Sequence, residues 1–138
     1  MEAMNGGLRV DREAREGLLV RLQDLLAGRP DVTFAFAFGS FLDQDAFRDI
    51  DVGIWTVPSA SSRVDVELAA DASAALGIPV DVRRVNDAPV SFMFHVLRGR
   101  ALVVRDEEML ATLMERTARE YHDGAPLVQR ATRDAFAR

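Results

Sequence analysis

Three aspartates and one glycine–serine pair are the residues whose spacing points to chemistry. The stretch AFGSFLDQDAFRDIDVGIW, residues 37–55, ends an apolar run at Gly39 and Ser40. It then sets Asp49 and Asp51 around Ile50, where a second apolar run begins. On a strand, residues i and i+2 point to the same face. Asp49 and Asp51 would then sit side by side, with Ile50 and Val52 turned into a core. Adjacent carboxylates repel, and each resists desolvation. Such a pair implies a cation between them. Oxygen-only ligands on a rigid strand suit Mg²⁺ or Mn²⁺, and magnesium commonly completes its shell with water and substrate phosphates. Gly39 has no Cβ, so the backbone there can approach a ligand closely. Ser40 adds a hydroxyl and an N–H, and a helical turn starting at this point would favour a phosphate. Together these are the parts of a nucleoside triphosphate site. Asp81, in PVDVRRV, is the candidate third carboxylate. It is placed to bind a second metal ion and to accept the proton of an attacking hydroxyl.

Each feature alone also has a plain reading. Strand-end acids are often solvated turn residues, Gly-Ser is an ordinary turn, and a single aspartate is usually a surface acid. The order is what argues for a site: strand, Gly-Ser, short loop, Asp-Ile-Asp, helix, strand with Asp81. Asp43 and Asp45 in the loop read as turn residues, and Arg48 as a surface arginine screening local acids. Arg83 shares a face with Asp81, and two roles stay open for it: pairing with a site acid or contacting nucleotide. His95 reads as a packed core or edge residue, His122 as a charge partner at a helix end, and Trp55 as core. Two isolated histidines do not make a zinc site.

The elements that must position these groups follow from periodicity. Residues 11–28 carry Leu18, Leu19, Leu22, Leu25 and Leu26 at helical spacing, with Gly28 as a stop. VTFAFAF, 32–38, reads as a buried strand, and IDVGIWTV, 50–57, as a second. Ser61 or Ser62 is placed to cap a helix that runs to Leu76 and is ended by Gly77. IPVDVRRV, 78–85, is a third strand. Pro89 opens a helix to about Arg98, and ALVVR, 101–105, is a fourth strand. Asp106 caps a helix with Met109, Leu110, Leu113, Met114 and Thr117 on one face. LVQRATRDAFAR, from Leu127, is expected to form a last helix, with Leu127, Val128 and Phe136 offering a partner surface. The order predicts an α/β fold: a mixed four-stranded sheet with helices packed over it.

Composition bounds the rest. The chain has 138 residues, which predicts one domain with a real core. There is no cysteine, which excludes disulfides and thiolate metal sites. The net charge is −5, so direct binding of nucleic acid is not expected to be the main function. Every basic residue is arginine, so no lysine serves as phosphate clamp or nucleophile. No apolar run approaches the roughly 20 residues a membrane helix needs. The first residues carry no apolar h-region, which predicts no signal peptide and a cytoplasmic protein.

FGSFLDQDAFRDIDVGIW also resembles the signature of the nucleotidyltransferase superfamily related to DNA polymerase β: apolar-Gly-Ser, a loop, then Asp-apolar-Asp-apolar. Eight residues separate Ser40 from Asp49, a shorter loop than in many relatives. The resemblance covers roughly residues 32–130 and is nearest to minimal nucleotidyltransferases, the MntA-type antitoxins of HEPN/MNT toxin–antitoxin pairs. It implies one minimal domain over 1–138, with a catalytic core at about 30–105 and C-terminal helices at about 106–138. It implies transfer of AMP from ATP to a tyrosine of a HEPN ribonuclease toxin. By motif, Gly39 and Ser40 would hold the triphosphate, and Asp49 and Asp51 would bind the metals. Asp81 would assist metal binding and take the tyrosine proton. Two Mg²⁺ ions are implied, with Mn²⁺ as a substitute. The alternatives are an antitoxin that neutralises by binding alone, and a small-molecule nucleotidyltransferase. Formation of homo- or hetero-oligomers is compatible with all three.

Overall fold

A computed structural model describes residues 2–4, 7–121, 127 and 130–131. The four expected strands form, as β3 (Val32–Phe38), β5 (Ile50–Thr56), β6 (Val80–Arg84) and β7 (Arg100–Val104). They lie in the order β6-β5-β3-β7, and a two-residue strand β8 (Arg130–Ala131) extends the β7 edge. β3 runs antiparallel to β5 and β7, while β5 and β6 are parallel. The sheet is therefore mixed, as expected. The parallel step requires a crossover, which α3 (Val64–Leu76) supplies. The other long helices are α1 (Arg12–Ala27), α4 (Val90–Leu97) and α5 (Glu107–Tyr121).

β3 is central because its sequence serves two cores at once. Val32, Ala35 and Ala37 join Leu19, Leu22 and Leu26 of α1, with Leu68 and Ala72 of α3, on one face. Phe34, Phe36 and Phe38 join Met93, Val96 and Leu97 of α4, with Leu110 and Leu113 of α5, on the other. Small residues on one side and rings on the other leave unequal space above and below the strand. A register shift between Val32 and Phe34 accommodates the change.

The caps divide between expectation and correction. Asp106 Oδ1 accepts the Met109 N–H at 2.9 Å, and Gly77 closes α3 at φ +70°. Asp11 likewise accepts the Ala14 N–H at 2.7 Å at the start of α1. α3 begins later than expected, however. Arg63 is its cap residue, and the Ser61 hydroxyl only accepts the Arg63 N–H in a local turn. β6 starts at Val80 rather than Ile78, because Pro79 has no N–H to give the ladder. The Pro79 carbonyl still accepts the Ile50 N–H at 2.9 Å, which aligns the starts of β5 and β6.

α2 (Ser40–Asp43) is the helical turn considered at Ser40, directly after Gly39. Three short strands lie outside the sequence reading. β1 (Glu2–Met4), β2 (Gly7–Arg9) and β4 (Ala46–Phe47) form a small antiparallel sheet in the order β1-β2-β4. The helix expected from Leu127 is corrected at Arg130 and Ala131, which pair with Arg100 and Ala101 as a parallel strand. The open edge of β7 decides the outcome there over local propensity. Val128, Phe136 and His122 lie outside the described residues. Among the described residues, no helix is long and apolar enough to cross a membrane.

Gly99 fixes how closely β7 approaches the site-bearing end of β3. A Cβ at Gly99 would collide with the Ala37 carbonyl oxygen. Gly99→Ala should therefore destabilise the fold by about 1–3 kcal/mol, the usual cost of overpacking. Urea denaturation of both proteins checks this.

Candidate active site

The candidate residues gather at one end of the sheet. β3 ends at Phe38, and Gly39 turns the chain into α2. Phe38 is the register partner of Asp51, and Asp51 is in turn the register partner of Asp81. Side chains directly opposite one another across strands share a face, with Cβ atoms about 4.5–5.5 Å apart. Asp51 and Asp81 thus project from the face that carries α4 and α5. Ile50 and Val52 are buried in the opposite core. Asp49 lies in the bend one residue before β5 begins, rather than on the strand itself.

Electrostatics place the three acids in one neighbourhood. Asp51 is pushed up to about 6 from an ordinary 3.8. Partial burial is the main cause, followed by the charges of Asp49 and Asp81, while Arg83 pulls the other way. The nearness of the Asp49 side chain also favours the protonated form of Asp51. Arg83 answers one open question from the sequence, since its Nε lies 3.3 Å from Asp81 Oδ2. It pairs with a site acid.

Gly39 is required twice over. Its φ is +86°, a region L side chains rarely adopt. A Cβ built on it would also meet Asp51 Oδ2 at 2.7 Å. The absent side chain lets the Gly-Ser turn and the Asp51 carboxylate lie against one another. Ser40 opens α2, which no side chain caps. A helix of one turn carries little macrodipole, so donors rather than dipole are what it offers.

The donor set fits Mg²⁺ by its chemistry: carboxylate oxygens only, one of them destabilised as an anion by its neighbours. Among the described residues, no three histidine or acidic side chains are drawn into a ready-made ion cage. Asp49, Asp51 and Asp81 are the residues that would hold Mg²⁺.

Other residues sort as follows. Arg48, Asp43 and Asp45 are exposed, with Asp43 ending α2. Trp55 is half-buried and stacks on Phe34 with centroids 5.6 Å apart. His95 is exposed, with its ring edge against Phe38 at 5.3 Å. Two cavities, of 770 and 450 Å³, lie away from the acids. The larger is lined by Arg12, Arg15, Glu16, Asp45 and Arg100 near the start of α1, and the smaller by Trp55 and α5. A group the sequence reading missed is Phe92, whose ring meets Phe38 edge-on at 5.7 Å and lies beneath the Arg83 guanidinium.

Residues 21–108 match the family model described as polymerase beta, nucleotidyltransferase. The chain belongs to this nucleotidyltransferase family. The matched span includes Gly39, Ser40, Asp49, Asp51 and Asp81. Among solved structures, the chain is similar to a crystal structure of the toxin–antitoxin MntA-HepT. The identity is 19%, the TM-score 0.57, and the match covers 80% of this chain and 86% of that one. A complex of tri-AMPylated Shewanella oneidensis HEPN toxin with MNT antitoxin matches at 19% identity and TM-score 0.57, covering 80% and 87%. A toxin–antitoxin structure with AMP-PNP matches at 21% identity and TM-score 0.60, covering 77% and 86%. At these identities the likeness is one of fold. No curated protein matches the chain.

The raised pKa of Asp51 has a definite sign for stability. Its protonated form is favoured in the folded chain, so the fold carries a penalty that appears as pH rises from 3.8 through about 6. Asp51→Asn should therefore raise the melting temperature at about pH 8, and the gain should vanish toward about pH 4. Magnesium should stabilise the wild type at the higher pH and leave the double variant Asp49→Asn, Asp51→Asn unmoved. Thermal melts across pH, with and without the ion, read both effects.

Proposed function

We propose that the chain is a minimal nucleotidyltransferase that moves AMP from ATP to a tyrosine of a HEPN ribonuclease toxin and so silences it. On this reading residues 1–138 act as one domain, with a catalytic core at about 30–105. The protein works in the cytoplasm beside its partner. The observation that carries the reading is the convergence of the family-matched Gly-Ser turn and acids on adjoining strands, with Asp51 in register with Asp81. The likeness in fold to an MNT antitoxin complex with an AMPylated HEPN toxin, and to a toxin–antitoxin structure with AMP-PNP, supports the choice of acceptor and donor.

The chemistry follows from the chain's own groups. Gly39 lets the turn lie against the Asp51 carboxylate, and Ser40 at that turn donates its hydroxyl and N–H to phosphate oxygens. The tyrosine hydroxyl oxygen bonds to the α-phosphorus, and the bond from that phosphorus to the bridging oxygen of the β-phosphate breaks. Pyrophosphate leaves with that electron pair, and the hydroxyl proton passes to the Asp81 carboxylate. Asp49 and Asp51 would hold the divalent cations, which would neutralise the charge that develops on the phosphates.

Purified chain, Mg²⁺, ATP labelled at the α-phosphate and a HEPN toxin as acceptor should give label on a toxin tyrosine. Asp49→Asn with Asp51→Asn should lower the rate by roughly a hundredfold or more, the scale seen when electrostatic support of a transition state is removed. Toxin neutralised without label would favour an antitoxin that acts by binding alone. Label undiminished in the double variant would remove the carboxylates from the mechanism.

A further inference from the structure

We propose that the acceptor's aromatic ring is received on the β6 side of the acids, stacked on the guanidinium of Arg83 with the ring of Phe92 beneath it. This rests on the AMP-transfer reading above and adds the chemistry by which the acceptor is chosen.

The strand order sets the direction of approach. The Gly39–Ser40 turn follows β3, Asp51 lies on β5, and Asp81 lies on β6 at the sheet edge. Attacking and leaving oxygens lie roughly in line in phosphoryl transfer. With the phosphate tail on the Gly39–Ser40 donors, the leaving group departs toward β3. The attacking hydroxyl then enters from the opposite side, over β6.

Three contacts stand at that entrance. Arg83 Nε is 3.3 Å from Asp81 Oδ2. The Arg83 guanidinium carbon is 5.7 Å from the centre of the Phe92 ring. Phe92 is braced edge-on by Phe38, with an interplanar angle of 88°. The Arg83 side chain is nevertheless 62% exposed, so a guanidinium supported from below by one ring keeps its outer surface open. A planar, weakly hydrated guanidinium stacks readily on aromatic faces. A phenol laid on it would have its hydroxyl beside Asp81, the same acid that Arg83 grips. A serine hydroxyl or a sugar would gain nothing from this surface. A nucleobase is less suited to it, because base and ribose hang off the α-phosphate to one side of the reaction line. Arg83 and Phe92 therefore determine specificity for an aromatic acceptor.

The test is steady-state kinetics of the full chain with Mg²⁺, varying ATP and the HEPN acceptor separately, beside fluorescence titration of nucleotide binding. Arg83→Met and Phe92→Ala should each raise the acceptor KM by about tenfold, with a smaller effect on kcat. Arg83→Lys should not restore it, since an ammonium cannot stack flat, whereas Phe92→Trp should keep it near the wild-type value. The nucleotide dissociation constant should move less than about twofold in all four. Normal transfer with unchanged acceptor KM in Arg83→Met, an exposed position where folding is not at stake, overturns the inference alone. A rise in the nucleotide constant instead of the acceptor KM also overturns it, and assigns the surface to the nucleobase. A wild-type chain that transfers no AMP overturns the underlying reading and this inference with it.

Discussion

The site depends on one unfavourable interaction: carboxylates held together by strand register. Asp51 and Asp81 are partners on adjacent parallel strands, and Asp49 lies against Asp51 one residue before its strand. Hydrogen bonding along β5 and β6 fixes this register, so the acids cannot drift apart without breaking the ladder. Two cores enforce it. Ile50 and Val52 are locked beneath the acids, and Val96 and Val85 fill the space over Gly53 on the acid-bearing face. A one-residue slip would exchange buried and exposed side chains along the whole strand. The fold spends stability to keep negative charges in a partly desolvated place, where a divalent cation restores what was lost.

Two further features answer that constraint. Gly39 yields its side-chain volume to Asp51, so that the turn and the carboxylate can share space. Arg83 partly offsets the local charge while leaving most of its own surface open. An arginine tied to one acid, laid on a ring and exposed on its other side is both a counter-charge and a surface. The site needs both if its substrate is a phosphate chain meeting an aromatic hydroxyl.

Much of this was legible in the sequence because the signals were strong and local. VTFAFAF and IDVGIWT are long apolar runs bounded by turn residues, and the leucines of α1 repeat at helical spacing. A helix between the strand of Asp51 and the strand of Asp81 was legible too, but not that the two strands pair in parallel with those acids in register. The rest depended on tertiary pairing. β1, β2 and β4 have two or three residues each, too few to show alternation. Arg130 and Ala131 become a strand because β7 presents an open edge, which no local pattern in LVQRATRDAFAR announces. Asp49 falls before the strand rather than on it, because Ile50 is the first residue whose N–H is claimed, by Pro79. The Phe92–Arg83 contact joins a helix to a strand edge, and spacing along the chain cannot report it.

The account's central claim is that Asp51 is a strained carboxylate awaiting a cation. Carbon-13 NMR titration of the aspartate side-chain carboxyl carbons, in the free chain and with magnesium and a non-hydrolysable ATP analogue, measures this directly. The account predicts that Asp51 titrates near 6 in the free chain and falls by at least about one pH unit when ion and nucleotide bind. An Asp51 that titrates near 4 in both states would contradict it.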